Sequence, residues 1–205
     1  MSETLTVRPR TKLVWRWRVV DIVVAAVIGV ASGVVYWAWN LIYSVPSHAL
    51  EVVLPGLQPL SYGLWLVAGV LAALVIRKPG AALFAELVAS LVEALIGNQW
   101  GPLTVVYGLV EGLGAELIFA AVLYASWRVW VAMLAGGLSG VGGAILDLVA
   151  YYPGSAQLFA IVYISSFAVS GILFAGLLGW LLARALAATG ALSRFASGRQ
   201  RTADV

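Results

Sequence analysis

The chain has 205 residues, 62% of them hydrophobic and only 10% charged, with a formal charge of +3. A soluble domain of this length carries about 25% charged residues, so the composition excludes an ordinary water-soluble domain and points to an all-α, polytopic membrane protein. There is no cysteine, which excludes disulfides and thiol chemistry.

Residues 1–18 are basic, with Arg8, Arg10, Lys12, Arg16 and Arg18 interleaved with Trp15 and Trp17. Indoles at headgroup level and cations facing anionic lipid suit an interfacial segment. The first apolar run, Val19–Tyr43, is too long for a signal h-region and ends in Tyr36-Trp37-Ala38-Trp39-Asn40, a poor cleavage site. It is therefore expected to stay as the first span. Further spans are predicted at Tyr62–Ile76, Gly80–Ile96, Leu103–Ser126, Val129–Ala150 and Gln157 to about Ala187, the fourth opened by Pro102 at a favourable first-turn position. The domain plan is a segment 1–18, a six-helix domain 19–188 and a basic tail 189–205, the tail expected to fray.

The twelve Lys and Arg residues alternate strictly between sides. Five precede span 1, Arg77 and Lys78 separate spans 2 and 3, Arg128 separates spans 4 and 5, and Arg184 with three more arginines closes the chain. Loops 44–61, 97–102 and 151–156 hold none. Basic loops stay inside, so six spans with both termini in the cytoplasm are expected, in the cell membrane. This charge pattern speaks for topology and not for nucleic-acid binding. Loop 44–61 carries three prolines and admits two readings: a lid or short interfacial helix over the outer mouth, or a plain connector.

Small residues recur every four positions: Ala25, Gly29 and Gly33; Gly108 and Gly112; Gly136, Gly140 and Ala144; Gly171, Ala175, Gly179 and Ala183. Such ladders let helices approach closely. They serve packing within the chain or docking of another membrane subunit, and Ala25, Gly29 and Gly33 are the best candidates for docking.

Four glutamates, Glu86, Glu93, Glu111 and Glu116, lie inside apolar runs, and no Lys or Arg occurs between Lys78 and Arg128. Carboxylates at membrane depth are costly and mark function by default. At a rise of about 1.5 Å per residue, Glu93 lies about 6 Å inside the outer end of its span and Glu111 about 13 Å inside its own. Asp147 sits near the outer end of span 5. With Trp37, Asn40, Asn98, Trp100 and Tyr151, all on the outer side, they compose a pocket for a cationic or amine-bearing molecule: acids supply charge, and aromatic faces attract a positive ring. Glu86 and Glu116 are deeper, and interhelical hydrogen bonds explain them as well as substrate does. Asp21 beside Arg18 reads as an ion pair. His48 stands without Cys or His partners and is a weak metal signal, so no metal and no cofactor is expected.

The chain has no Walker A loop, HExxH or GxSxG pattern. It cannot hydrolyse ATP alone, and an enzyme is not expected. A channel lined by the four glutamates and a non-catalytic scaffold are the alternatives to a binding subunit that borrows a motor.

The order Trp17…Asp21, Arg77-Lys78-Pro79-Gly80-Ala81, Glu86, Glu93, Gly97-x-x-Trp100-Gly101 and Gly112-Leu113-Gly114-Ala115-Glu116 resembles the YkoE family, substrate-binding (S) components of energy-coupling factor (ECF) transporters. The resemblance spans roughly residues 15–185. It implies a six-helix S-component fold, uptake of thiamine or its hydroxymethylpyrimidine precursor (HMP), a transmembrane T component and a pair of ABC-type ATPases as partners. It also implies docking on the T component through small residues of the first helix, which Ala25, Gly29 and Gly33 match.

Overall fold

A computed structural model describes residues 15–190 together with 192, 195 and 197. Among the described residues the regular structure is entirely helical: α1 (Val19–Asn40), α2 (Ser44–Val53), α3 (Val67–Ile76), α4 (Ala81–Ile96), α5 (Leu103–Ala121), α6 (Val129–Ala150), α7 (Gln157–Gly171) and α8 (Gly179–Ala188). Two 3₁₀ turns, Gln58–Ser61 and Gly63–Leu66, lead into α3, and a π-helical stretch, Ile172–Leu178, joins α7 to α8. Four helical stretches are long and apolar enough to cross a bilayer: Val19–Asn40, Leu103–Ala121, Val129–Ala150 and Gln157–Ala188.

The short α3 is the hub. Every residue of it except Leu71 is buried, and it touches α1, α4, α5, α6 and α8. That explains its sequence, since a helix surrounded on all sides needs no polar face. Around it, α1 lies on α4, α4 on α5, α5 on α6, and α6 on α7 and the π-helical stretch.

The glycine ladders account for these contacts. A Cβ at Gly29 would meet the Ala85 carbonyl at 2.8 Å, and one at Gly33 the Ala89 carbonyl at 2.5 Å. Gly136 and Gly171 face one another so closely that either Cβ would overlap the other's carbonyl. Backbones this close gain dispersion contact where lipid offers no hydrophobic drive. Ala25, Gly29 and Gly33 are all buried, and Gly29 and Gly33 lie directly against the α4 backbone.

Lys78 reaches the Arg16 carbonyl, Arg77 lies over the Trp127 ring, and Arg184 lies over Trp180, which bonds the Trp127 carbonyl, so Arg16, Arg18, Arg77, Lys78, Arg128 and Arg184 gather at one end, the basic end. The loops after α1, α4 and α6 form the other, the loop end. At the basic end Asp21 accepts from Arg18 (2.8 Å) and from the buried Lys78, whose Nζ also donates to the Arg16 carbonyl at 2.6 Å. Trp17 Nε1 donates to the Pro79 carbonyl at 2.9 Å. The expected Arg18–Asp21 pair is thus part of a three-residue clasp that ties α1 to the α3–α4 turn.

Glu116 on α5 accepts from the backbone N–H of Gly80 (2.6 Å), Ala82 (3.0 Å) and Leu83 (3.4 Å), and from the Tyr124 hydroxyl (2.7 Å). Those amides open α4 and have no partner within their own helix. Gly80 enters with φ +84°, a left-handed conformation that glycine adopts without steric cost. Of the tail, Leu192, Phe195 and Ser197 are buried, and Ser197 Oγ donates to the Val75 carbonyl. The rest of the tail beyond Gly190, like residues 1–14, lies outside the described residues.

Candidate functional site

Between the loop-end halves of α1, α4, α5, α6 and α7 lies a cavity of about 370 Å³, within the range of about 300–1,000 Å³ typical of small-molecule sites. Each helix contributes at helical spacing, so whole stripes face inward. From α4 come Glu86, Ser90 and Glu93; from α5 Thr104, Tyr107, Gly108 and Glu111; from α6 Asp147; from α7 Tyr163 and Phe167; and from α1 Tyr36. Tyr43, Tyr62, Trp65, Trp100, Tyr151 and Tyr152 complete it from the loop end. Glycine makes the room: a Cβ at Gly108 would sit 2.1 Å from Ser90 Oγ, and one at Gly143 would sit 2.7 Å from Glu111 Oε1.

Among the described residues the lining holds four carboxylates and no Lys, Arg or His. All four acids are buried, from Glu86 at 2% exposure to Asp147 at 8%. Glu86, deepest on α4, accepts from the Tyr36 hydroxyl (3.0 Å) and the Gly69 amide (2.7 Å). Asn40 Nδ2 donates to Glu93 Oε1 at 2.6 Å. Asp147 accepts from the hydroxyls of Tyr107 and Tyr163, the latter at 2.9 Å. Among the described residues no three Asp, Glu or His side chains converge closely enough to hold a metal ion, so the acids form a lining and not a coordination sphere.

The mouth is aromatic. Tyr43 packs on Trp65 and Trp100 with ring centroids 5.1 and 5.7 Å apart, and Trp65 meets Trp100 edge-on at 5.7 Å. Tyr62 bridges from Trp65 to Phe167, at 5.6 Å in each case. Gln99 Nε2 bonds the Tyr43 hydroxyl, and the indole N–H of Trp65 is buried near the Glu93 carboxylate.

Five of the residues singled out from sequence meet here: Glu93, Trp100, Glu111, Asp147 and Tyr151. Three do not line the cavity. Asn98 is spent on its own turn: Oδ1 accepts from the amides of Trp100 (3.0 Å) and Gly101 (2.8 Å), and Nδ2 reaches Thr104 Oγ1 at 2.8 Å. It sets the start of α5 and the pose of Trp100, and its amide also lies near the cavity acid Glu93. Asn40 stands behind Glu93 and orients it. Trp37 is turned about 100° from the inward-facing Tyr36, and the single step along α1 takes it off the lining.

Loop 44–61 forms a short helix, as one of its readings expected. Its helix α2 packs on the 58–61 turn and touches Tyr62 through Ser47 (3.2 Å), and none of its residues lines the cavity. Glu86 does line the cavity while also making the interhelical bonds expected of it. The residues missed were Tyr36, Tyr62, Trp65, Tyr107, Tyr163 and Phe167. A signal existed for some: Tyr107 with Glu111 and Tyr163 with Phe167 are four apart, the spacing of one helix face.

Long apolar helices closing on one acidic, aromatic cavity define a multi-pass membrane protein. A family model described as "ABC-type cobalt transport system, permease component" matches residues 20–142. A Bacillus subtilis (strain 168) protein with the provisional name HMP/thiamine permease protein YkoE is 39% identical over 90% of this chain and 92% of its own. A solved S component of an ECF transporter superposes with a TM-score of 0.85 at 37% identity, covering 92% of this chain and 95% of its own. This chain belongs to the YkoE-type S-component family of ECF transporters.

Proposed function

We propose that this chain is the substrate-capture subunit of an ECF-type importer and takes thiamine or HMP from outside the cell. The observation that carries the reading is the cavity lining, four buried carboxylates and a ring of aromatic side chains without one basic residue. Such a site lacks its positive charge until a ligand brings it. Thiamine offers a cationic thiazolium and an aminopyrimidine, and HMP the pyrimidine alone. The relative's name supports this choice of molecule.

In this reading the chain crosses the membrane six times with both termini in the cytoplasm. The gathering of Arg16, Arg18, Arg77, Lys78, Arg128 and Arg184 at one end supports that orientation, in which the aromatic mouth faces outward. The carboxylates draw the cation in, and the low dielectric of the bundle strengthens their pull. Tyr43, Trp65 and Trp100 stack on the flat rings, and Glu93, held by Asn40, accepts from an amine. The loaded subunit then engages a T component and a pair of ABC-type ATPases, and hydrolysis by those partners drives release inward.

Isothermal titration of the purified chain with thiamine and with HMP tests the proposal. Saturable one-to-one binding of at least one, with none of an anionic vitamin such as biotin, is the expected outcome. Heats indistinguishable from dilution for both ligands would remove it.

A further inference from the structure

The four carboxylates of the cavity are not equivalent. Hydrogen-bond donors reach Glu86, Asp147 and Glu93. Among the described residues no donor reaches the Glu111 carboxylate; only its backbone carbonyl is bonded, by Ser139 Oγ at 2.7 Å. Yet Glu111 is 6% exposed and lines the cavity. Its Oε1 occupies the space left by the absent side chain of Gly143, beside the Phe167 ring.

Among the described residues every titratable group lining the cavity with Glu111 is an acid or a phenol. Glu86 and Glu93 come from α4, Asp147 from α6, Tyr107 from its own helix, Tyr36 from α1 and Tyr163 from α7. None can supply a positive charge. A buried anion without a donor or a counter-ion is unfavourable by several kcal/mol, and such a group takes up a proton instead.

We propose that Glu111 carries a proton in the empty cavity and gives it up when an organic cation enters, so that capture exchanges one cation for one proton. The carboxyl O–H bond breaks, the proton passes to solvent, and the carboxylate left behind faces the ligand's charge. The net charge of the site is the same before and after. A neutral ligand leaves the proton where it is. The inference rests on the cavity being the thiamine or HMP site, and goes beyond it by fixing what leaves as the ligand arrives.

The test titrates the full-length protein with thiamine and with HMP at one pH, in two buffers of different ionisation enthalpy. The difference in observed heat counts the protons released. The expected result is about one proton per thiamine, none per HMP, and none per thiamine in Glu111→Gln with weakened binding. Thiamine binding without proton release in the wild type overturns the exchange and leaves the capture reading standing; so does a release unchanged in Glu111→Gln. Should that variant fail to fold, the comparison of thiamine with HMP on the wild type decides the matter alone. Binding of neither ligand overturns the capture reading and the exchange with it.

Discussion

The Tyr36 hydroxyl donates to Glu86 Oε1 at 3.0 Å across fifty residues of chain, and accepts from the Ala68 amide at 2.8 Å. One phenol thus joins α1, α3 and α4 at the floor of the cavity. The bond fixes a buried acid and also satisfies an amide at the start of α3. Tyr36→Phe should lower stability by about 1–3 kcal/mol, the cost of orphaning buried polar groups. Thermal unfolding in detergent measures it. An unchanged midpoint would show that water replaces the hydroxyl.

Glu93 is held by Asn40 at 2.6 Å. Glu93→Gln removes the charge and Asn40→Ala the support. Hydrogen bonds to charged groups are worth about 1.5–3 kcal/mol, so each substitution should weaken ligand binding roughly tenfold or more. If the two act through one contact, their double-mutant cycle shows coupling. Full additivity would mean that Asn40 does not act through Glu93.

At the mouth, Trp65 and Trp100 meet at 5.7 Å. Trp100→Ala removes one stacking face, worth about 0.5–2 kcal/mol toward a positive ring. Thiamine affinity should fall by about 2- to 30-fold, and HMP affinity by less. Ligand should also quench tryptophan fluorescence in the wild type. Equal losses for both ligands would assign Trp100 to shape and not to charge.

Gly143 leaves space that Glu111 Oε1 enters, 2.7 Å from where a Cβ would stand. Phe167 Cε1 is 2.8 Å from the same point. Gly143→Ala must therefore displace the carboxylate or the ring, and should lower ligand affinity at least tenfold while the helix content stays the same. Wild-type affinity in this variant would mean that neither group meets the ligand.

Glu116 caps α4 at the basic end, remote from the cavity. Glu116→Ala strips partners from three backbone amides and from Tyr124, and should lower the unfolding midpoint with little effect on ligand affinity in the folded fraction. Affinity lost in parallel with Glu93→Gln would contradict its purely structural role.

Much of this molecule could be read before it was folded. Composition and the alternation of basic loops follow from the bilayer itself, which punishes unpaired charge at depth and sorts Lys and Arg to one face. Helix positions were legible for the same reason: apolar runs must be long, and Pro102 and Gly97 punctuate them. The inward acids Glu93, Glu111 and Asp147 could be named because a carboxylate in such a run has few uses.

Tertiary packing alone decided which of two neighbours faces in. Tyr36 lines the cavity and Trp37 does not, because one residue is about 100° of helix and the direction of the core depends on where α4 lies. It decided that Gly29 and Gly33 lie against Ala85 and Ala89, since a ladder of glycines looks alike whatever it packs against. It also sorted the acids. Glu86, Glu93, Glu111 and Glu116 read alike along the chain, and only the donors brought by distant helices give Glu116 a helix end, Glu86 a phenol, Glu93 an amide and, among the described residues, Glu111 nothing.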